Sequence, residues 1–201
     1  MNSRFSDLAG LPKLSPHGPG RKFVPFHYYK ALSVLSERGR TGRARLSSEL
    51  GIGEGSIRTL LDELEDAGFI RRNNSGIVLT QKAQKTMSSF PVNTCPVKRC
   101  GLSLGSFTTA ALARKAAPKV TNGILQRDEA VRHGAAGAVT LLIMKGKLLI
   151  PPMMEPVTDA ETESAVFGRL LGSEEDAVIL TSADSPEISE QAAFFAALTV
   201  V

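Results

Sequence analysis

The chain has 201 residues, 42% hydrophobic and 5% aromatic with no Trp, so aliphatic side chains must build its cores. That length fits one large domain or two modest ones. No apolar run approaches the roughly 18 residues of a membrane span, and the N-terminus lacks the hydrophobic block of a secretory signal. These features argue against membrane partners and lead to the expectation of a cytoplasmic protein.

The net charge is a mild +4, and its distribution is uneven. Residues 1–90 carry 14 Lys+Arg against 8 Asp+Glu, residues 91–150 carry 9 against 2, and residues 151–201 carry 1 against 10. A basic first half suits nucleic acid. The middle block (Lys98, Arg99, Arg114, Lys115, Lys119) either extends a DNA footprint, binds an anion, or is a solvated surface balanced by the acidic third.

In chain order, residues 1–22 read as a Pro/Gly-rich arm, because Leu11 to Lys22 holds too many breakers for regular structure. Residues 23–90 form the first domain. A helix is predicted over Pro25 to Arg38, with Pro25 at a first turn and Phe26, Tyr29, Leu32, Val34 and Leu35 as its apolar face. A short amphipathic helix follows over Arg43 to Leu50, then a Gly-Ile-Gly turn and a second helix over Glu54 to Ala67, closed by Gly68. Two strand-like runs, Phe69 to Arg72 and Ile77 to Thr80, flank the turn residues Asn73, Asn74, Ser75 and Gly76. Helix, tight turn, helix and basic hairpin is the order of a helix-turn-helix with a wing. A last helix is expected over Gln81 to Phe90.

In the Glu54 helix, Ile57, Leu60, Leu61 and Leu64 recur at helical spacing and must turn inward. Ser56, Arg58 and Thr59 are left to face a groove, and an arginine there can pair with guanine through two hydrogen bonds. The predicted DNA-contacting set is Arg43, Arg45, Ser56, Arg58, Thr59, Arg71, Arg72, Asn73 and Asn74. A protein-binding module is the competing reading of the same pattern.

Residues 25 to 89 resemble the winged-helix domains of the MarR-like prokaryotic repressors, through Leu50-Gly51-Ile52-Gly53-Glu54-Gly55-Ser56-Ile57-Arg58 and Leu64 to Ile70. With Asn122 to Ala130 and Gly134 to Ala138, the whole chain is similar to the archaeal DUF4443 family, a winged helix plus an uncharacterised C-terminal domain. The resemblance implies an architecture and says little about a signal.

Residues 91–201 read as an α+β domain for effector binding or dimerisation, so the fold class is α+β: a winged helix-turn-helix, then an α/β-type domain with a small sheet covered by helices. Ala138 to Met144 and Ala177 to Thr181 read as strands buried on both faces. Lys145-Gly146-Lys147 reads as a hairpin turn to Leu148, Leu149 and Ile150. A helix capped by Thr158 or Asp159 is expected to reach about Gly172 with Val166, Phe167, Leu170 and Leu171 inward. A final helix starts at Ser185-Pro186-Glu187, with Ile188, Ala192, Phe195 and Leu198 as its core stripe.

Asn122, Gln126, Arg127 and Asp128, placed ahead of a short helix holding Ala130 and Val131, are candidate ligands for a small anionic or polar effector. A surface region capping a helix is the plainer reading. Cys95 and Cys100, beside Lys98 and Arg99, read as inert thiols or a redox pair. With His133 alone downstream, no metal site, cofactor or catalytic set assembles. The expected function is therefore a non-enzymatic, double-stranded DNA-binding regulator, expected as a homodimer. The alternatives are a protein- or RNA-binding scaffold and, third, an enzyme with a DNA-targeting domain.

Overall fold

A computed structural model describes residues 23–98 and 100–201. The arm expected over residues 1–22, and Arg99 of the basic block, lie outside the described residues. The chain divides between Phe90 and Pro91 into two compact units.

The first unit runs α1 (Pro25–Arg38), α2 (Arg43–Leu50), α3 (Glu54–Asp66), β1 (Ile70–Asn73), β2 (Gly76–Leu79) and α4 (Gln81–Ser89). Phe26, Tyr28, Tyr29, Leu32 and Leu35 of α1 are buried, as are Leu46 and Leu50 of α2. So are Ile57, Leu60, Leu61 and Leu64 of α3, the stripe that its 3.6-residue spacing predicts. Gly51 ends α2 at φ 63° and Gly68 follows α3 at φ 74°, the left-handed conformation that glycine adopts without strain. β1 and β2 pair antiparallel from Ile70↔Leu79 to Asn73↔Gly76.

The second unit is one six-stranded sheet of β3 (Val92–Val97), β4 (Phe107–Ala113), β5 (Gly137–Met144), β6 (Lys147–Ile150), β7 (Glu155–Val157) and β8 (Ala177–Ala183). The strand order is β3-β4-β8-β5-β6-β7, and every neighbouring pair is antiparallel. Its helices are α5 (Ile124–Arg132), α6 (Ala160–Glu163), which continues into a π-helical segment over Ser164–Arg169, and α7 (Pro186–Ala197). On one face Leu112, Leu141, Ile143, Val178 and Leu180 pack with Ala165, Val166 and Leu170. The other face carries α5 and α7. There Ser189 of α7 donates to Thr109 Oγ1 at 3.0 Å and accepts from Thr181 at its backbone oxygen at 2.7 Å, so these three buried hydroxyls are satisfied. The hairpin expected at Lys145-Gly146 is present, with both residues at positive φ (52° and 67°).

Four expectations need correction. β3 and β4 are strands that the sequence reading did not name. β4 is Thr/Ala-rich with little alternation, and Pro96 in β3 fits an edge, where a missing N–H costs no ladder bond. Gln126 to Asp128 lie inside α5 and do not precede it, because Asn122 Oδ1 accepts the Ile124 N–H at 3.1 Å and starts the helix earlier. The helix capped by Asp159 runs on through its π-helical segment to Arg169, near the expected end, but Leu171 does not face inward as expected. Arg114 takes the Leu170 and Leu171 carbonyls at 3.3 and 3.0 Å, and Leu171 turns to φ 52° and points outward, 67% exposed. Ile188, expected in the core, is 40% exposed.

At the start of α1, Val24 donates its N–H to His27 Nδ1 at 3.0 Å. Burial pushes the His27 imidazole below its usual range, against the raising effect of its bond to the Val24 carbonyl. With the folded value depressed, the unfolded chain takes the proton first. Stability is therefore full above the unfolded value of about 6.5 and falls as pH drops below it. Thermal midpoints of the first unit should decline from pH 7 to 5.5, and His27→Gln should remove most of that slope. In the same unit, Leu64→Ala should cost about 2–5 kcal/mol by denaturant unfolding.

Candidate nucleic-acid interface

The α2–α3 turn is held locally. Ser47 donates its hydroxyl to the Ile52 carbonyl at 2.6 Å and accepts the Ile52 N–H at its own carbonyl at 3.3 Å, while Ile52 is buried. Gly42 and Gly53 are the N-caps of α2 and α3, with no side chain closing either helix start and open space beside both. Uncapped N–H groups at a helix start favour an anion. The wing hairpin is tied back to the body by Thr41, which exchanges two backbone bonds with Ile77 at 3.1 and 2.9 Å. Gly76 sits at φ 129°, where a Cβ would lie 3.0 Å from the Arg40 stem.

Between the start of α2, the first half of α3 and the wing lies a groove of about 350 Å³, lined by Arg43, Ala44, Glu54, Arg58, Arg72 and Asn73 among others. Arg43, Arg58 and Arg71 are exposed and form no ion pair with a described residue. Arg45 lies 3.7 Å from Glu49, whose carboxylate is also held by Arg38 at 2.8 Å. Ser56 is half-buried. Thr59 is exposed and donates to the Gly55 carbonyl at 3.3 Å. Asn73 uses its Oδ1 to accept the Ser75 N–H and hydroxyl at 3.0 and 2.8 Å, which shapes the wing tip beside exposed Asn74.

Arg72 departs from the expectation. Its guanidinium bridges Asp62 at 2.6 Å and Glu65, and its N–H donates to Glu65 Oε1 at 2.9 Å. The hydrogen bonds from Arg72 hold the Glu65 carboxyl below the ordinary range, and those carboxylates raise the arginine in turn. Arg72 therefore fastens the wing to α3 and neutralises acids there, in place of standing ready for phosphate. Asp62 and Glu65 are ten and seven residues away, so only the hairpin's return brings them together.

Sequence reasoning missed Arg40, an exposed cation lying across Gly76 at the wing base, with no ion pair among the described residues. Its signal was the Arg40-Thr41-Gly42-Arg43 run ahead of α2. It also missed Lys82, which donates to the Ala67 carbonyl at 2.7 Å and lies over the Phe69 ring at 4.5 Å.

In the second unit the four candidate effector ligands do not converge. Gln126 is 3% exposed and donates to Thr199 at 2.8 Å, while Arg127 and Asp128 pair on the outer face at 2.7 Å. Asn122 is occupied at Oδ1 by the Ile124 N–H. Cys95 and Cys100 are buried free thiols, with Cys100 Sγ 3.0 Å from Thr162 Oγ1. His133 stacks on Phe195 at 4.0 Å and bonds Glu129 at 3.0 Å. No group of three or more His, Cys, Asp or Glu suited to a metal ion occurs among the described residues, and no described helix is long and apolar enough to cross a membrane.

The chain matches two family models: a domain of unknown function, DUF4443, over residues 104–200, and the PH0730-like N-terminal domain over residues 32–85. Both findings support the DUF4443 family. Among solved structures, the chain is similar to hypothetical protein PH0730 from Pyrococcus horikoshii OT3 at 25% identity and TM-score 0.67, over 86% of this chain and 91% of that one. No curated protein matches. The DUF4443 match covers the sheet unit from just before β4 onward, without β3, and the PH0730-like match covers the helix-turn-helix and its wing.

Removing the Arg72 guanidinium should loosen the hairpin without unfolding α3, since surface ion pairs contribute only about 0–1 kcal/mol each. Hydrogen exchange of Arg72→Ala should show faster amides in β1 and β2, with the amides of Leu60 to Leu64 unchanged.

Proposed function

We propose that residues 23–90 bind double-stranded DNA and that the chain is a transcription regulator of the cytoplasm, without catalytic activity or cofactor. The observation that carries this reading is the groove of Arg43 and Arg58 between two uncapped helix starts and a wing, with the nearby acids of α3 drawn onto Arg72. In such a module the first turns of the second helix meet base edges, and the wing and the preceding helix meet the backbone. Arg58 and Ser56 are assigned to the bases. Arg43, Arg40 and Arg71 are assigned to phosphates, with Arg45, Thr59, Asn73 and Asn74 at the margin. The likeness to MarR-type repressors in Leu50 to Arg58 supports the same assignment.

Two copies on a two-fold site would match the symmetry of a palindromic operator. The second domain then serves as the assembly or sensing element. A small anionic or polar effector would act only by favouring one arrangement of the two winged helices over another.

Fluorescence anisotropy on duplex DNA between about 50 and 200 mM salt tests the reading, because phosphate contacts give a steep salt dependence. Arg43→Ala should weaken binding to every sequence and lower the salt slope by about one, whereas Arg58→Ala should cost about 1–3 kcal/mol on a preferred site only. Gly53→Asp should stabilise α3 as a better cap and yet weaken DNA binding by placing a carboxylate at the phosphate position. If duplex DNA leaves anisotropy unchanged, the reading fails and the module is a protein-interaction scaffold.

A further inference from the structure

The start of α3 reads Gly53-Glu54-Gly55, so Glu54 is a single side chain between two bare backbone positions. Gly55 lies inside the helix, where glycine is destabilising relative to alanine. Among the described residues nothing requires it: its φ is not positive, and a Cβ there would meet no atom within 4 Å. At 100° per residue Gly55 stands opposite the buried stripe of Ile57, Leu60, Leu61 and Leu64, on the outermost line of α3. A glycine with open space before it suits a backbone that another body must approach closely. Glu54 and Arg58 lie one helical turn apart, about 40° around the axis from each other, and line the same groove. Both are exposed, and neither forms an ion pair with a described residue. An acid in the first turn complements the helix dipole, but that role does not account for the bare Gly55 beside it.

We propose that the first turn of α3 enters the major groove, that Gly55 is bare to let it in, and that the Glu54 carboxylate reads cytosine by accepting its N4–H. A free carboxylate facing a phosphate-rich partner costs affinity unless it meets a donor. In the major groove the amino donors belong to cytosine and adenine. Adenine sets an N7 acceptor beside its amine, which suits Asn or Gln and repels a carboxylate. Cytosine offers its amine without that acceptor, and Glu or Asp is its matching side chain. Arg58 stands about 6 Å farther along the helix axis. Base pairs stack at about 3.4 Å, so the preferred site holds a cytosine within two base steps of the guanine read by Arg58. The proposal rests on the DNA reading above and adds to it the identity of a second base.

Selection of the full chain on a random duplex library, with wild type and Glu54→Gln in parallel, tests it, followed by anisotropy on the enriched site. Wild type should enrich the cytosine. Thymine in its place should weaken binding about tenfold or more, because it sets a carbonyl where cytosine has its amine. Glu54→Gln should exchange that cytosine for adenine and keep the guanine. Gly55→Ala should raise the thermal midpoint of the chain and still weaken binding to the enriched site several-fold. An unchanged motif from Glu54→Gln overturns the proposal, as does a Gly55→Ala variant that binds as tightly as wild type. So does a Glu54→Ala variant that tightens on every duplex alike, since the carboxylate would then only repel. A wild type that selects the guanine without the cytosine overturns this proposal and leaves the DNA reading standing, whereas a wild type that retains no duplex overturns both.

Discussion

The candidate interface depends on the burial of Ile57, Leu60, Leu61 and Leu64 along one stripe of α3. Four aliphatic side chains removed from water at roughly 1.5–3 kcal/mol each outweigh any surface ion pair on that helix. They fix its rotation about its own axis. Arg58 and Ser56 then follow: at 100° per residue, the side chains between buried ones have to look out. The polar arrangement is built on this rotation. Asp62 and Glu65 come round beside the hairpin, where Arg72 receives them.

That ordering separates what holds the module together from what it presents. The Arg72 contacts are too exposed to stabilise the fold much, but they place the wing and draw negative charge away from the surface proposed to meet phosphate. The DNA reading is otherwise in tension with an α3 whose second half carries Asp62, Glu63, Glu65 and Asp66. Glu63 is drawn toward α1 by Tyr28, whose hydroxyl donates to its carboxylate. Three of the four acids therefore have an internal task, and Arg43, Arg58, Arg71 and Arg40 keep their charge for solvent or a ligand.

Much of the first unit was legible in the sequence because its signals are local. Helical spacing fixed α1 and α3, glycines at 51 and 68 marked the helix ends, and Asn73 to Gly76 marked the turn. The second unit was less legible. β4, with the sequence Phe-Thr-Thr-Ala-Ala-Leu-Ala, is buried on both faces by neighbours that its own pattern does not reveal. β3 carries a proline that sequence reasoning treats as a breaker, although an edge strand tolerates it. The fate of Gln126 depended on Thr199, 73 residues away, and that of Leu171 on the Arg114 guanidinium reaching its carbonyl. Arg72 is the clearest case: basic and beside a wing tip, it had the composition of a phosphate contact. Its partners became visible only with the hairpin folded back on α3.

The most direct test of the central claim is selection from a random duplex library, with wild type and Arg58→Ala in parallel and the bound pool sequenced. The account predicts that wild type enriches a defined motif and that Arg58→Ala relaxes a single base position within it, leaving the rest of the motif intact. Enrichment of no motif by the wild type, or the same motif with undiminished information from Arg58→Ala, would contradict the claim that this face of α3 reads DNA.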